Sequence, residues 1–212
     1  MSRSALLQYL ELLKNSGIKE LYQTQSDRAA LLAELQDKYA SCTKCQLHTG
    51  RIRFVYGEGN PYATAMVIGE GPGKEENLSG RPFVGQAGNL LDKMLIAINI
   101  HREDVYIANI VKCRPPGNRD PEMTERLACL PYLVEQINII QPKIILAMGL
   151  VAAQTLTGTT NTLQWHREQT REFMGIPMYA TYHPAALLRN SNWKPAAWQD
   201  LQKFQKDYER LL

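Results

Sequence analysis

The chain contains no run approaching the roughly 18 uninterrupted apolar residues that a membrane-crossing helix requires, which argues against an integral helical membrane protein. Its leucine-rich start (Leu6, Leu7, Leu10, Leu13) is interrupted by Glu11 and leads to no small-residue cleavage site. It therefore reads as an amphipathic helix, not a secretory signal, and the expected location is cytoplasmic with no membrane attachment. Excess charge of one sign is also missing: 24 Lys and Arg face 21 Asp and Glu, a net +3. That balance announces no polyanion partner, yet it leaves room for a local basic face. Internal repeats and low-complexity tracts are absent, and composition excludes disordered, collagen-like and coiled-coil classes. Neither the G-x-G-x-x-G dinucleotide fingerprint nor a Walker A motif occurs.

Cysteine is sparse, with four in 212 residues. A chain of this length buries about 70% of its unfolded surface and needs no covalent staples to fold. Structural disulfides are also rare in a reducing compartment. The four thiols therefore call for a metal, a redox role or plain burial. Cys42-x2-Cys45 forms one close pair, while Cys113 and Cys129 are dispersed. A zinc ribbon wants a second close pair, so zinc fits poorly. A [4Fe–4S] cluster takes four thiolates and tolerates this spacing. Burial as small hydrophobes stays open as the alternative.

Hydrophobic periodicity divides the chain in two. Ala29, Leu32, Leu35 and Tyr39 repeat at helical spacing, with Ser26 or Asp27 as N-cap. From about residue 62, short apolar strands alternate with helices. Strands are expected at 65–69, 105–111, 143–149 and 176–182, and helices at 87–98, 122–140, 151–156 and 195–211. Four strands with helical crossovers predict a three-layer α/β/α domain around a four-stranded parallel sheet. The expected division is a helical extension at 1–37 and one domain at 38–212.

Ligands of such sheets bind beyond the carboxyl ends of the strands. Here those ends are Gly69-Glu70-Gly71-Pro72-Gly73, Asn109, Gly149 and His183. The glycines permit close backbone approach to a ligand, or simply a tight turn. Glu70 and His183 bring titratable groups to the same rim, although a lone histidine is often structural. Asn109 ends an apolar strand and either reads a ligand or caps a turn. Arg114-Pro115-Pro116-Gly117-Asn118-Arg119 forms a stiff basic loop, and Gly80-Arg81-Pro82-Phe83 puts an aromatic near the same rim.

Taken in order, Cys42-x2-Cys45, Gly69-Glu70-Gly71-Pro72-Gly73, Gly80-Arg81-Pro82-Phe83-Val84-Gly85, Asn109-Ile110-Val111-Lys112-Cys113-Arg114-Pro115-Pro116, Cys129 and His183-Pro184-Ala185 resemble the family 4, iron–sulfur uracil-DNA glycosylases. The resemblance covers about residues 38–211. It implies an enzyme of base excision repair that flips uracil out of single- or double-stranded DNA and hydrolyses its glycosidic bond. It implies that Phe83 stacks on the base and that the Asn109 amide reads O4 and N3–H. Cytosine presents the opposite pattern, which hydrogen-bonded sites reject by about 10⁴-fold. Gly71 and Glu76 are implied to face C5, where a thymine methyl clashes. His183 is implied to bond O2 and stabilise the leaving anion, a role worth about 3–4 kcal/mol. Glu70 is implied to orient the attacking water.

The same resemblance makes Leu187 or Leu188 the wedge that fills the vacated stack. Arg114, Arg119 and Arg189 become phosphate contacts. Cys42, Cys45, Cys113 and Cys129 become the ligands of a structural [4Fe–4S] cluster in a monomeric protein. Asn77 stands where the family often has an acidic residue, and 157–171, with His166, matches no pattern. No histidine-bearing insertion follows Phe83-Val84-Gly85, so turnover is expected in place of covalent capture of DNA. Two other readings compete: an iron–sulfur DNA-binding or redox-sensing module without turnover, and a small-molecule enzyme on the same sheet.

Overall fold

The computed structural model describes residues 27–212. The amphipathic helix expected around Leu6 to Leu13 lies outside the described residues. In chain order the helices are α1 (Arg28–Tyr39), α2 (Lys74–Ser79), α3 (Gln86–Ile96), α4 (Met123–Ile140), α5 (Leu150–Thr157), α6 (Leu163–Glu168), α7 (Pro184–Arg189) and α8 (Lys194–Glu209). The strands are β1 (Glu58–Gly59), β2 (Ala65–Gly69), β3 (Tyr106–Asn109), β4 (Ile144–Met148), β5 (Arg171–Phe173) and β6 (Ile176–Thr181). They form one sheet in the order β1-β3-β2-β4-β6-β5.

The central four strands are parallel, as expected, but the sheet has six strands and not four. β1 and β5 add antiparallel edges. The physical reason is length. A two-residue strand and a three-residue strand carry too few alternating side chains to show a period. β5 also enters β6 through Met174 and Gly175, both at positive φ (54° and 76°). This is the backbone of a tight hairpin turn, but with methionine where asparagine or aspartate would have signalled it.

Strand residues point alternately to the two faces, and the core separates accordingly. Met66, Ile68, Ala108, Ile145 and Ala147 pack with Tyr132, Leu133, Ile137 and Leu156 on one side. Ala65, Val67, Ile107, Leu146 and Met148 pack with Leu91, Leu95, Leu201 and Phe204 on the other. All residues of β2, β3 and β4 are buried, which is why their sequences are apolar apart from Asn109 at the end of β3.

α1 crosses the expected 37/38 boundary. Asp27 caps it by accepting from the amides of Ala29 and Ala30. Leu32 enters the core, and Arg28 donates to the Ile140 carbonyl at 2.8 Å. Tyr39 packs its ring on Tyr132 at 4.3 Å and donates to Glu135 at 2.6 Å.

At the other end, Arg167 on α6 clasps Asp200 on α8 (2.6 Å), while Thr181 donates to the same carboxylate at 2.9 Å. Arg167 also lies over the Tyr182 ring at 4.5 Å, so this cluster holds the chain just before His183. Both members of the ion pair are buried, with side chains 8% and 4% exposed. Breaking such a pair from one side strands a charge. Arg167→Met is therefore expected to cost about 3–5 kcal/mol of stability, measured by denaturant unfolding.

Candidate active site and cysteine cage

The parallel pairing of β2 with β3 sets Gly69 opposite Asn109. Glu70 leaves the sheet beside them, and its carbonyl accepts from the Val111 amide at 3.1 Å. Gly69 has to be glycine, because a Cβ there would lie 2.6 Å from Phe83 Cζ and strike the Asn109 Oδ1 atom. Gly149 at the end of β4 (φ 94°) lets His183 approach in the same way. Around these strand ends lies a cavity of about 250 Å³ lined by Glu70, Gly71, Glu76, Phe83, Asn109 and His183, with Arg119 and Arg189 at its rim.

Asn109 is 2% exposed, and its Oδ1 has no hydrogen-bond partner. A buried orphan acceptor costs about 1–3 kcal/mol unless something meets it. Its position on a cavity wall leaves it free to accept from a donor that enters the cavity.

His183 caps α7: its Nδ1 accepts from the Ala185 amide at 3.2 Å. Nδ1 must then carry no proton, so in the neutral ring the hydrogen sits on Nε2. Burial, followed by Arg189, lowers this imidazole to about 4, against a smaller opposing pull from Glu76. It is neutral at pH 7 and a hydrogen-bond donor through Nε2. Its ring lies 5.4 Å from that of Phe83 at 29°.

Glu70 moves the other way. Burial raises it to about 7, with Asp120 adding to the rise and Arg126 and Arg189 opposing it. A carboxyl poised near neutrality at the mouth of a cavity is suited to taking or holding a proton.

Phe83 has φ 51°, an unusual left-handed backbone for a non-glycine residue. Two groups hold it there. Glu76 Oε1 accepts from the amides of Val84 (2.9 Å) and Gly85 (3.1 Å), and Oε2 accepts from Gly73 (3.0 Å). Arg102 donates to the carbonyls of Phe83 (3.1 Å) and Pro82 (2.6 Å), and is itself paired with Glu58 and Asp92. Glu76 therefore lines the cavity and ties the loop at once. Arg102 escaped sequence reasoning because it lies in a short polar 3₁₀ turn carrying no motif. Asp120, in the loop before α4, and Arg126, near the start of α4, tune Glu70 and escaped because neither belongs to a motif.

The rim residues divide. Leu187 is 2% exposed and packs in the apolar core, so it is not available as a wedge. Leu188, the next residue, is 49% exposed. The reason is helical geometry: at about 3.6 residues per turn, adjacent residues of α7 are rotated by about 100° around its axis, which carries Leu188 off the buried face. Arg189 is exposed. Arg114 donates to Asn118 at 2.7 Å. Arg119 holds buried Glu125 with two bonds of 2.8 Å, which fixes the start of α4. Asn77 is buried and accepts from the Ile52 amide.

Cys42, Cys45, Cys113 and Cys129 converge on one small pocket, shared with Leu47, Phe54, Val111 and Tyr132. All four are free thiols. Donors face their sulfurs: Tyr132 hydroxyl to Cys42 (3.0 Å), Lys112 amide to Cys129 (3.3 Å) and Arg51 to Cys113 (3.4 Å). Burial raises the thiols of Cys45, Cys113 and Cys129, the last to about 12. Without a cation they stay protonated; a bound metal centre deprotonates such thiols outright. Among the described residues no three His, Cys, Asp or Glu side chains are arranged to hold a single metal ion. The donor set suits a larger centre with one thiolate at each corner.

The family described as the uracil DNA glycosylase superfamily matches residues 56–202. The type-4 uracil-DNA glycosylase of Pyrobaculum aerophilum is 41% identical over 81% of this chain and 90% of its own. That of Thermotoga maritima is 43% identical over 77% and 86%. A type-5 enzyme of Pyrobaculum aerophilum reaches 31% over 63% and 66%. The chain belongs to the uracil-DNA glycosylase superfamily, in its type-4 family. Among the described residues no helix is long and apolar enough to cross a membrane.

The tight contact at Gly69 yields a stability test. Gly69→Ala forces a methyl between two buried neighbours and is expected to cost about 1–3 kcal/mol by overpacking. Gly50→Ala, where nothing lies within 4 Å of the new methyl, should stay within about 0.5 kcal/mol of the parent. Denaturant unfolding of both variants reads the difference.

Proposed function

We propose that the cavity takes a uracil flipped out of DNA and cleaves its bond to deoxyribose, leaving an abasic site. The observation that carries the reading is the orphan acceptor of Asn109. Its Oδ1 accepts from uracil N3–H and its Nδ2 donates to O4, while cytosine would offer a lone pair and a donor at those places. Phe83 stacks on the base, and Gly71 with Glu76 closes the wall facing C5.

Bond cleavage places negative charge on the departing base and positive charge on the sugar. His183, with its proton on Nε2, donates to O2 and stabilises the anion without itself being charged. Ionised Glu70 holds the attacking water and faces the cationic sugar. Leu188 fills the vacated stack, Arg189 and Arg114 contact phosphates, and Arg119 adds a fixed positive charge while holding Glu125. The four thiols fit a [4Fe–4S] cluster, which supplies a closed anchor between α4, the loop after β3 and the segment after α1. Hydrolysis transfers no electrons, so this role is structural. The acting form is a cytoplasmic monomer, a domain at 38–212 with an extension at 1–37 whose end, from Arg28 on, packs against that domain through α1. The relatives favour this enzyme over an iron–sulfur module without turnover.

Single-turnover assays on uracil-containing oligonucleotides, single-stranded and paired with G or A, test the reading. Excision is expected from the native protein and its loss from Asn109→Ala with the fold retained. Normal cutting by that variant would refute the base-reading role. The pH profile has a defined sign. Glu70 must be ionised, so the rate should rise through about pH 7 and fall by roughly tenfold per unit below it. His183, lowered to about 4, adds no limb above pH 5. Glu70→Gln should be slow and flat across this window.

A further inference from the structure

Lys112 is 0% exposed, the most completely buried cation among the described residues. Its ammonium donates to the neutral amide oxygen of Gln136 at 2.6 Å and sits 5.8 Å from the centre of the Tyr56 ring. It joins none of the ion pairs found among the described residues. A neutral amide and an aromatic face do not offset the cost of burying a full charge, so a negative partner is missing.

Among the described residues, the concentrated source of negative charge beside Lys112 is the cysteine cage, through Cys129. Lys112 lines it, precedes Cys113, and donates its own amide to Cys129 at 3.3 Å. Four thiolates bring more negative charge than an iron–sulfur core returns, so the loaded cage is a net anion. Arg51 already meets it from outside, bonding both Cys113 Sγ (3.4 Å) and the Cys42 carbonyl (2.7 Å). Lys112 lines the cage as well, with its ammonium held in the protein interior by Gln136.

We propose that Lys112 is the buried counter-charge of the cluster, setting its reduction potential and its retention. This rests on the cluster reading above. Reduction adds one electron to the cage, and a fixed positive charge in a low-dielectric interior stabilises that more negative state. Lys112 is thus a positioning residue for charge, without contact with DNA or base.

The test uses the native, cluster-loaded protein. Iron and acid-labile sulfide analysis comes first; wild-type protein lacking both would overturn the cluster reading itself. Midpoint potentials are then measured by spectroelectrochemistry for the wild type, Lys112→Met and Lys112→Gln. Both neutral variants should shift the oxidised-to-reduced ratio at least tenfold toward oxidised, about 59 mV more negative for one electron. They should also release iron to a chelator at least tenfold faster. Lys44→Met is the comparison: Lys44 is exposed and lies 4.9 Å from the centre of the cage's Tyr132 ring, so solvent screens it and its shift should be under threefold. Unchanged potentials in the Lys112 variants, or shifts equal to that of Lys44→Met, would overturn the proposal. Cluster loss with wild-type circular dichroism would support it, whereas loss of the fold in both variants would overturn it in favour of a purely structural lysine.

Discussion

Two parallel strands run side by side and stop together, Gly69 against Asn109. Most of the site depends on that pairing. Because the strands are in register, an amide side chain, a carboxyl one residue later and a glycine without a Cβ arrive at one edge of the sheet. The missing Cβ is what allows the Phe83 ring to lie against the strand ends. A one-residue slip would send Asn109 to the other face. The surrounding burial of β2, β3 and β4 forbids such a slip, since it would exchange the two halves of the core.

The second requirement is rigidity around an uncomfortable backbone. Phe83 sits at positive φ, which costs of order 1–3 kcal/mol and persists only when neighbours over-determine it. Glu76 from one side and Arg102 from the other supply that constraint. Each charged group serves the backbone and not another side chain alone, so the aromatic wall is held without occupying the cavity. Glu70 and His183 then carry opposite pKa displacements from the same cause, burial. One environment keeps His183 neutral and leaves Glu70 near its ionisation point.

Much of this could be read in the sequence, and what could not has identifiable reasons. The central strands announced themselves because burial on both faces demands unbroken apolar runs. The strand-end residues Glu70, Asn109 and His183 were legible because topology alone places strand ends together. The edge strands were not: β1 is two residues long, and β5 is set by a Met174-Gly175 turn that carries no familiar turn chemistry. Nor could spacing choose between Leu187 and Leu188, which only the rotation of α7 separates. Glu76 lines the cavity, but its bonds to the Val84 and Gly85 amides reach across a loop and leave no periodic trace. Arg102 and Lys112 illustrate the same limit, since a cation's partner is invisible until the chain is folded.

His183 sits at the junction between chemistry and scaffold. Its Nδ1 is the acceptor that begins α7, the short helix on which Leu188 and Arg189 ride. A proton arriving at that nitrogen would convert an acceptor into a donor facing another donor, and the first turn would lose its cap. Acid would therefore strike the cavity wall at His183 and the helix that carries Leu188 and Arg189 in a single event. Conversely, the bond that starts the helix also fixes which nitrogen bears the hydrogen, so the placement of Leu188 and Arg189 and the tautomer of the imidazole are secured together.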